Sequence, residues 1–180
     1  MDNGYEKKLK EVIEFLQKEY VGIRTGQATP ALLDSVKVES YGTYMPIQQM
    51  GSIGVEDART LRIATWDASV VPAIERAIRE SDLGVSVSSD SAGLRVIFPD
   101  LTAERRQQLV KIAKSKLEDA RVSVRAVRDD AMKVIESALK AGEISEDEKH
   151  TKRELVQKSV DLTNRTLEAV FDKKSSEMAL

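Results

Sequence analysis

The stretch AERRQQLVKIAKSKLEDARVSVRAVRDDAMKVIESALKAG, residues 103–142, decides the fold. Within it Leu109, Ala113, Leu117, Ala120, Val124, Val127, Ala131, Val134 and Ala138 recur at alternating spacings of three and four. That period predicts one apolar stripe on a continuous amphipathic helix. Gly142 marks its end. A helix of about 30 residues is about 50 Å long at the usual rise, and it needs partners of similar length to cover its stripe.

The partners lie at the two ends of the chain. Leu9, Val12, Ile13, Leu16, Tyr20 and Ile23 predict a first helix that stops near Gly26, with Pro30 beyond it. On the other side, Ser145 followed by Glu148 reads as a capping box that opens a third helix. Its buried side is expected to carry Leu155, Val156, Val160, Leu162, Leu167, Val170 and Phe171. Three such helices predict a closed bundle built from residues 1–29 and 103–180.

Residues 30–102 have a different character. They hold all four prolines (Pro30, Pro46, Pro72 and Pro99) and most of the glycines. Val36 and Val38, then Leu61, Ile63 and Thr65, then Leu94, Val96 and Phe98 alternate with their neighbours as half-buried strands do. A short helix is expected between them, capped at Asp67 or Ser69, with Pro72 in its first turn and Gly84 after its end. Residues 88–93, SSDSAG, read as a turn between two strands. The fold class is therefore α+β: a long three-helix bundle with a small inserted β/α/β domain. The chain crosses between the two near 26–30 and 99–103. Gly26, Pro30, Pro99 and Thr102 are the expected hinge residues.

Composition excludes several functions. The chain has no cysteine and one histidine, His150, so thiolate chemistry, a catalytic triad and a two-histidine metal site are all out of reach. No glycine belongs to a GxxxxGK[ST] or GxGxxG pattern. Glu146, Asp147 and Glu148 fall in a helix first turn, where acidic side chains favour the macrodipole. Neither an enzyme nor a cofactor is expected. The N-terminus lacks a signal-like apolar core, and no apolar run approaches the roughly 20 residues of a bilayer span, so a soluble, cytoplasmic monomer without membrane association is expected.

Net charge is only −2, so any polyanion-binding surface must come from segregation of charge. The inserted segment has six basic and ten acidic residues, whereas residues 103–128 have eight basic and three acidic ones. At about 100° per residue, Lys111, Lys114, Arg121, Arg125 and Arg128 fall within an arc of about 100° beside the apolar stripe. Two readings of this face stand open. In one it is a solvated surface laced by Glu118, and the molecule is a helical-bundle scaffold or chaperone. In the other it grips an RNA backbone, a task suited to arginine because its planar fork takes phosphate oxygens bidentately.

A resemblance bears on that choice. Ile-Arg-Thr-Gly-Gln-Ala-Thr-Pro (23–30) with Ala-Leu-Leu-Asp (31–34) resembles the end of the first helix in ribosome recycling factors. So do, in order and spacing, Tyr-Gly-Thr (41–43) with Pro46, Val-Glu-Asp-Ala-Arg-Thr-Leu (55–61) and Ser-Asp-Leu-Gly (81–84). Leu-Thr-Ala-Glu-Arg-Arg (101–106), Arg-Val-Ser-Val-Arg-Ala-Val-Arg (121–128) and Glu-Ile-Ser-Glu-Asp (143–147) complete the match, which spans nearly the whole chain. The resemblance implies an L-shaped two-domain protein, likened to transfer RNA, whose bundle binds large-subunit ribosomal RNA of the bacterial ribosome at the subunit interface. It implies elongation factor G as the partner that hydrolyses GTP and drives subunit separation. It also implies that Arg128 is the arginine most associated with ribosome binding, that Arg125 is a second basic contact, and that Arg24 occupies a family position. The family usually carries arginine where this chain has Gln27, asparagine at Ala126, and often a second arginine at Asp129.

Overall fold

The computed structural model describes residues 4–179. The chain forms two compact units. One takes the chain up to Tyr20 together with Val110–Ser176; the other takes Val21–Leu109 and the residues from Glu177 onward.

Three helices build the first unit: α1 (Gly4–Val21), α3 (Ala103–Lys140) and α4 (Glu146–Ala179), the last two reaching into the second unit at one end. Leu9 and Leu16 of α1, Ala113, Leu117 and Val124 of α3, and Val156, Val160 and Leu167 of α4 supply its buried side chains. Tyr20 is buried with them, and its hydroxyl donates to the Ala113 carbonyl at 2.7 Å. Burial, helped by the Glu168 carboxylate, pushes that phenol up to about 12, so it serves only as a donor.

Helix α3 is longer than its periodic stretch, 38 residues. Strong helix formers fill it. The Thr102 hydroxyl opens it by accepting from the Arg105 amide at 3.1 Å. Its C-terminus is a Schellman motif: the Gly142 amide bonds the Leu139 carbonyl and the Glu143 amide bonds that of Ala138, both at 2.9 Å. Gly142 takes φ +72°, the left-handed value that this motif requires. Helix α4 then opens with the capping box. Glu148 accepts from the Ser145 amide at 2.8 Å and from its hydroxyl at 2.9 Å, and the Glu148 amide reaches back to that hydroxyl at 3.3 Å.

Three helical expectations need correction. Helix α1 ends at Val21, not near Gly26, because Gly22 costs about 1 kcal/mol in a helix and Ile23 is buried as part of the second unit. Val134 and Leu155 are 67% and 54% exposed, so neither belongs to the core. Leu162 is 66% exposed, and its neighbour Thr163 is buried in its place. A helix allows one of two adjacent residues to face inward, and the seam through Val160 and Leu167 selects position 163. Thr163 meets the cost of burial by donating its hydroxyl to the Ser159 carbonyl at 2.8 Å.

The second unit holds a hairpin, β1 (Lys37–Ser40) with β2 (Thr43–Pro46), and a four-stranded antiparallel sheet of β3 (Gly51–Asp57), β4 (Thr60–Thr65), β5 (Ser86–Asp90) and β6 (Gly93–Ile97) in the order β3-β4-β6-β5. Helix α2 (Val71–Glu80) covers one face. It is preceded by a 3-10 turn, Ala68–Val70, in which the Asp67 carboxylate accepts from the Ser69 amide at 2.8 Å. The alternation foreseen at Leu61 and Ile63 and at Leu94 and Val96 is the buried face of β4 and β6, packed on Ile74, Ile78 and Phe98. On the other face Arg62 lies opposite Arg95, a repulsive placement that Asp90 and Glu56 neutralise at 2.7 and 2.6 Å. Strands β2 and β3 are additional to the sequence expectation, and β5 is the expected strand before the turn, extended into it. Ser88 and Ser89 lie in β5, and only Ser91 and Ala92 remain outside the paired strands of the expected turn.

Gly93 is under the tightest backbone constraint in this sheet, with φ +132° and any Cβ driven into the Ile63 carbonyl. Gly93→Ala is expected to destabilise the second unit by about 1–3 kcal/mol, read as a lower urea midpoint. A second expectation concerns acid. The hydrogen bonds from Ser145 hold the Glu148 carboxyl below its ordinary range. Its contribution is therefore complete above the unfolded-state value and is lost as pH falls through the lower folded-state value. The melting temperature of the parent should thus fall more steeply than that of Ser145→Ala below about pH 4.5, the unperturbed carboxylate region.

Candidate nucleic-acid interface

Burial of the apolar stripe of α3 fixes the rotation of that helix and turns its basic row outward. Lys111, Lys114 and Arg125 are exposed and have no ion-pair partner among the described residues. Arg121 is half-buried and engages two carboxylates, Glu118 at 2.7 Å within α3 and Glu168 across on α4. Arg128 is also half-buried. Its Nε donates to Gln157 Oε1 at 2.9 Å, and Gln157 in turn donates to Asp161 at 2.8 Å. Asp129 stands 3.7 Å from one Arg128 Nη, a loose contact that leaves most of the guanidinium fork open. Five cations thus share one side of α3, three open, one held with its fork available, and one already neutralised.

Beside Arg128 the row borders a groove of about 520 Å³ between α3 and α4, into which α4 brings Lys149, His150, Arg153 and Gln157. Of these, the sequence singles out only His150, as the one histidine of the chain. Their spacing of three and four along α4 was visible, but nothing local to α4 says which of its faces meets α3.

Arg24 lies elsewhere, in the second unit. Its guanidinium carbon sits 5.3 Å from the centre of the Phe98 ring, and an Nη donates to the Pro99 carbonyl. Burial lowers the pKa of this guanidinium, an effect that Asp100 opposes. The residue ties the segment leaving α1 to the segment approaching α3. Both segments are also pinned to one turn: the Ala28 amide bonds the Ala58 carbonyl at 2.7 Å, and the Phe98 amide bonds that of Arg59 at 2.8 Å. Pro30 opens a 3-10 turn, Pro30–Leu33, and Gly26 is half-buried before it. Pro99 offers its carbonyl to Arg24, and Thr102 caps α3.

His150 contacts only Glu154, at 3.1 Å, and no cluster of three or more histidine or carboxylate side chains among the described residues could hold a metal ion. No described helix is long and apolar enough to cross a membrane.

Comparison with known proteins adds to this geometry. The profile of the ribosome recycling factor family matches residues 16–178. The ribosome-recycling factor of Lachnoclostridium phytofermentans is 42% identical over 174 residues, covering 97% of this chain and 95% of that protein. A solution structure of the ribosome recycling factor superposes with a TM-score of 0.75 at 39% identity, covering 97% of this chain and 93% of the other. A second structure, described as models for the T. thermophilus ribosome recycling factor and the E. coli elongation factor G bound to the E. coli post-termination complex, gives 0.66 at 35% identity, covering 97% and 95%. A match of this extent, over helices and inserted sheet alike, places the chain in the ribosome recycling factor family.

Proposed function

We propose that this protein binds the bacterial ribosome after termination and, with elongation factor G and GTP, promotes its dissociation into subunits and release from messenger RNA. It does so in the cytoplasm and without catalysis of its own, the GTP being hydrolysed by the partner. The observation that carries this reading is family membership over almost the whole chain, together with a row of five cations on the longest helix, three of them without an ion-pair partner among the described residues.

In this reading Lys111, Lys114, Arg121, Arg125 and Arg128 meet phosphates of large-subunit ribosomal RNA. Three to five such contacts give a log–log salt dependence with a slope of about −2 to −4. Arg128 contributes most, because its hydrogen bond to Gln157 has already restricted the side chain and so reduces the ordering cost on binding. Arg121 contributes least, since it must exchange two carboxylates for a phosphate. Arg24 acts indirectly, by holding the two crossing segments at Phe98 and Pro99. The crossings near 26–30 and 99–103 serve as the hinge, with residues 1–29 and 103–180 as the ribosome-binding part and 30–102 as the inserted part. A monomer suffices for this task.

The reading is tested by a subunit-splitting assay with elongation factor G and GTP, with and without the protein; no gain in free subunits on its addition would refute it. Arg128→Ala is expected to weaken ribosome co-sedimentation about 10-fold and Arg125→Ala by less, both with unchanged helical circular dichroism. Unchanged co-sedimentation of both variants would favour the scaffold reading, in which the row is merely solvated. Gly26→Pro is expected to impair splitting more than binding; equal loss of both would refute a mechanical role for the first crossing.

A further inference from the structure

We propose that the groove between α3 and α4 is a single phosphate-binding site whose second wall is Arg153, so that α4 as well as α3 grips ribosomal RNA. The inference rests on the ribosome-binding reading and adds a residue and a ligand geometry to it.

The two basic groups that matter line the groove from opposite helices, Arg128 from α3 and Arg153 from α4. Of the two acids that line the groove, Glu146 lies 3.5 Å from Lys149, which Glu136 also approaches at 3.3 Å, while Glu154 lies 3.1 Å from His150, a partner that is charged only when protonated. Arg153 is exposed and has no hydrogen-bond or ion-pair partner among the described residues. Arg128 gives only its Nε to Gln157, and Asp161 holds the Gln157 amide so that its oxygen faces Arg128. The outer edge of the Arg128 fork is thus directed by a neutral acceptor and not consumed by a carboxylate. The lining sets Arg128, Lys149 and Arg153 against Glu146 and Glu154, an excess of positive charge that an anion complements. A phosphodiester meets that need, because its two free oxygens can accept from one fork on each side. Asp129 does not line this groove; at 3.7 Å from one Arg128 Nη it moderates the charge there without taking a hydrogen bond.

The test compares full-length Arg153→Ala, Arg153→Glu, Arg128→Ala, Gln157→Ala and the double variants in co-sedimentation with ribosomes over a series of KCl concentrations. Arg153→Ala should weaken binding several-fold and make the log–log salt slope shallower by about one, with Arg153→Glu weaker still. The loss in Arg128→Ala/Arg153→Ala should be smaller than the product of the single losses, as for two groups on one phosphate. As a positioning residue, Gln157 should matter only through Arg128: Gln157→Ala weakens the parent and changes nothing in the Arg128→Ala background. Parental affinity and slope in Arg153→Ala, alongside weakened Arg128→Ala, would overturn the two-walled site while leaving the ribosome reading intact. Full additivity of the two arginines would overturn the shared phosphate. No effect of Arg128→Ala would overturn this site, and the ribosome reading of the row would fall with it only if Arg125→Ala were equally silent.

Discussion

The buried seam of α3 sets the direction of every cation in its basic row. Ala113, Leu117 and Val124 are almost wholly removed from solvent. A helix seated by three such contacts cannot rotate about its axis without exposing them, at about 25 cal/mol for each Å² of apolar surface returned to water. Side chains at about 60–160° from that seam must then face outward along one side. The basic row is therefore a product of packing as much as of charge. Capping at Thr102 and Gly142 fixes where the row begins and ends, by closing the helix at both termini.

Charge within the row is graded by its neighbours. Arg121 is matched by Glu118 and Glu168, Arg128 is steadied by a neutral amide, and Arg125, Lys111 and Lys114 are exposed without an ion-pair partner among the described residues. Exposed pairs of the first kind contribute about 0–1 kcal/mol to stability. Removing cations from this face therefore costs the fold little, and it can be tuned for binding without loss of the bundle. The second unit treats its arginines differently: Arg62 and Arg95, opposed on one sheet face, each hold a carboxylate, so the same residue type serves strand pairing there.

Much of this was legible in the sequence because its signals were periodic. The three-four spacing of α3, the Ser145 and Glu148 box, and the alternation at Leu61, Ile63, Leu94 and Val96 all correspond to observed elements. What escaped notice had no local signal. In β2 no residue is fully buried, so period two has almost nothing to mark, and β3 mixes glycine with acids along an edge. Leu162 and Thr163 show hydrophobicity misleading by one position, since the seam is chosen by neighbouring helices. The basic row was read from α3 alone. Lys149, Arg153 and Gln157 could not join it until the pairing of α3 with α4 was known, and the contacts of Arg24 with Phe98 and Pro99, far along the chain, had no local signal.

The turn at Ala58 and Arg59 receives the amides of Ala28 and Phe98 on two successive carbonyls. Entry and exit of a 70-residue excursion are thereby fastened at one spot. A segment closed at its own doorway can be lengthened, trimmed or exchanged between its ends while the host helices receive the chain at unchanged points. It can also gain its native contacts without waiting for the flanking rods, since closure requires only residues inside the excursion. The insert is in this sense a cassette, and its sequence is free to diverge for whatever it meets while the bundle stays the same.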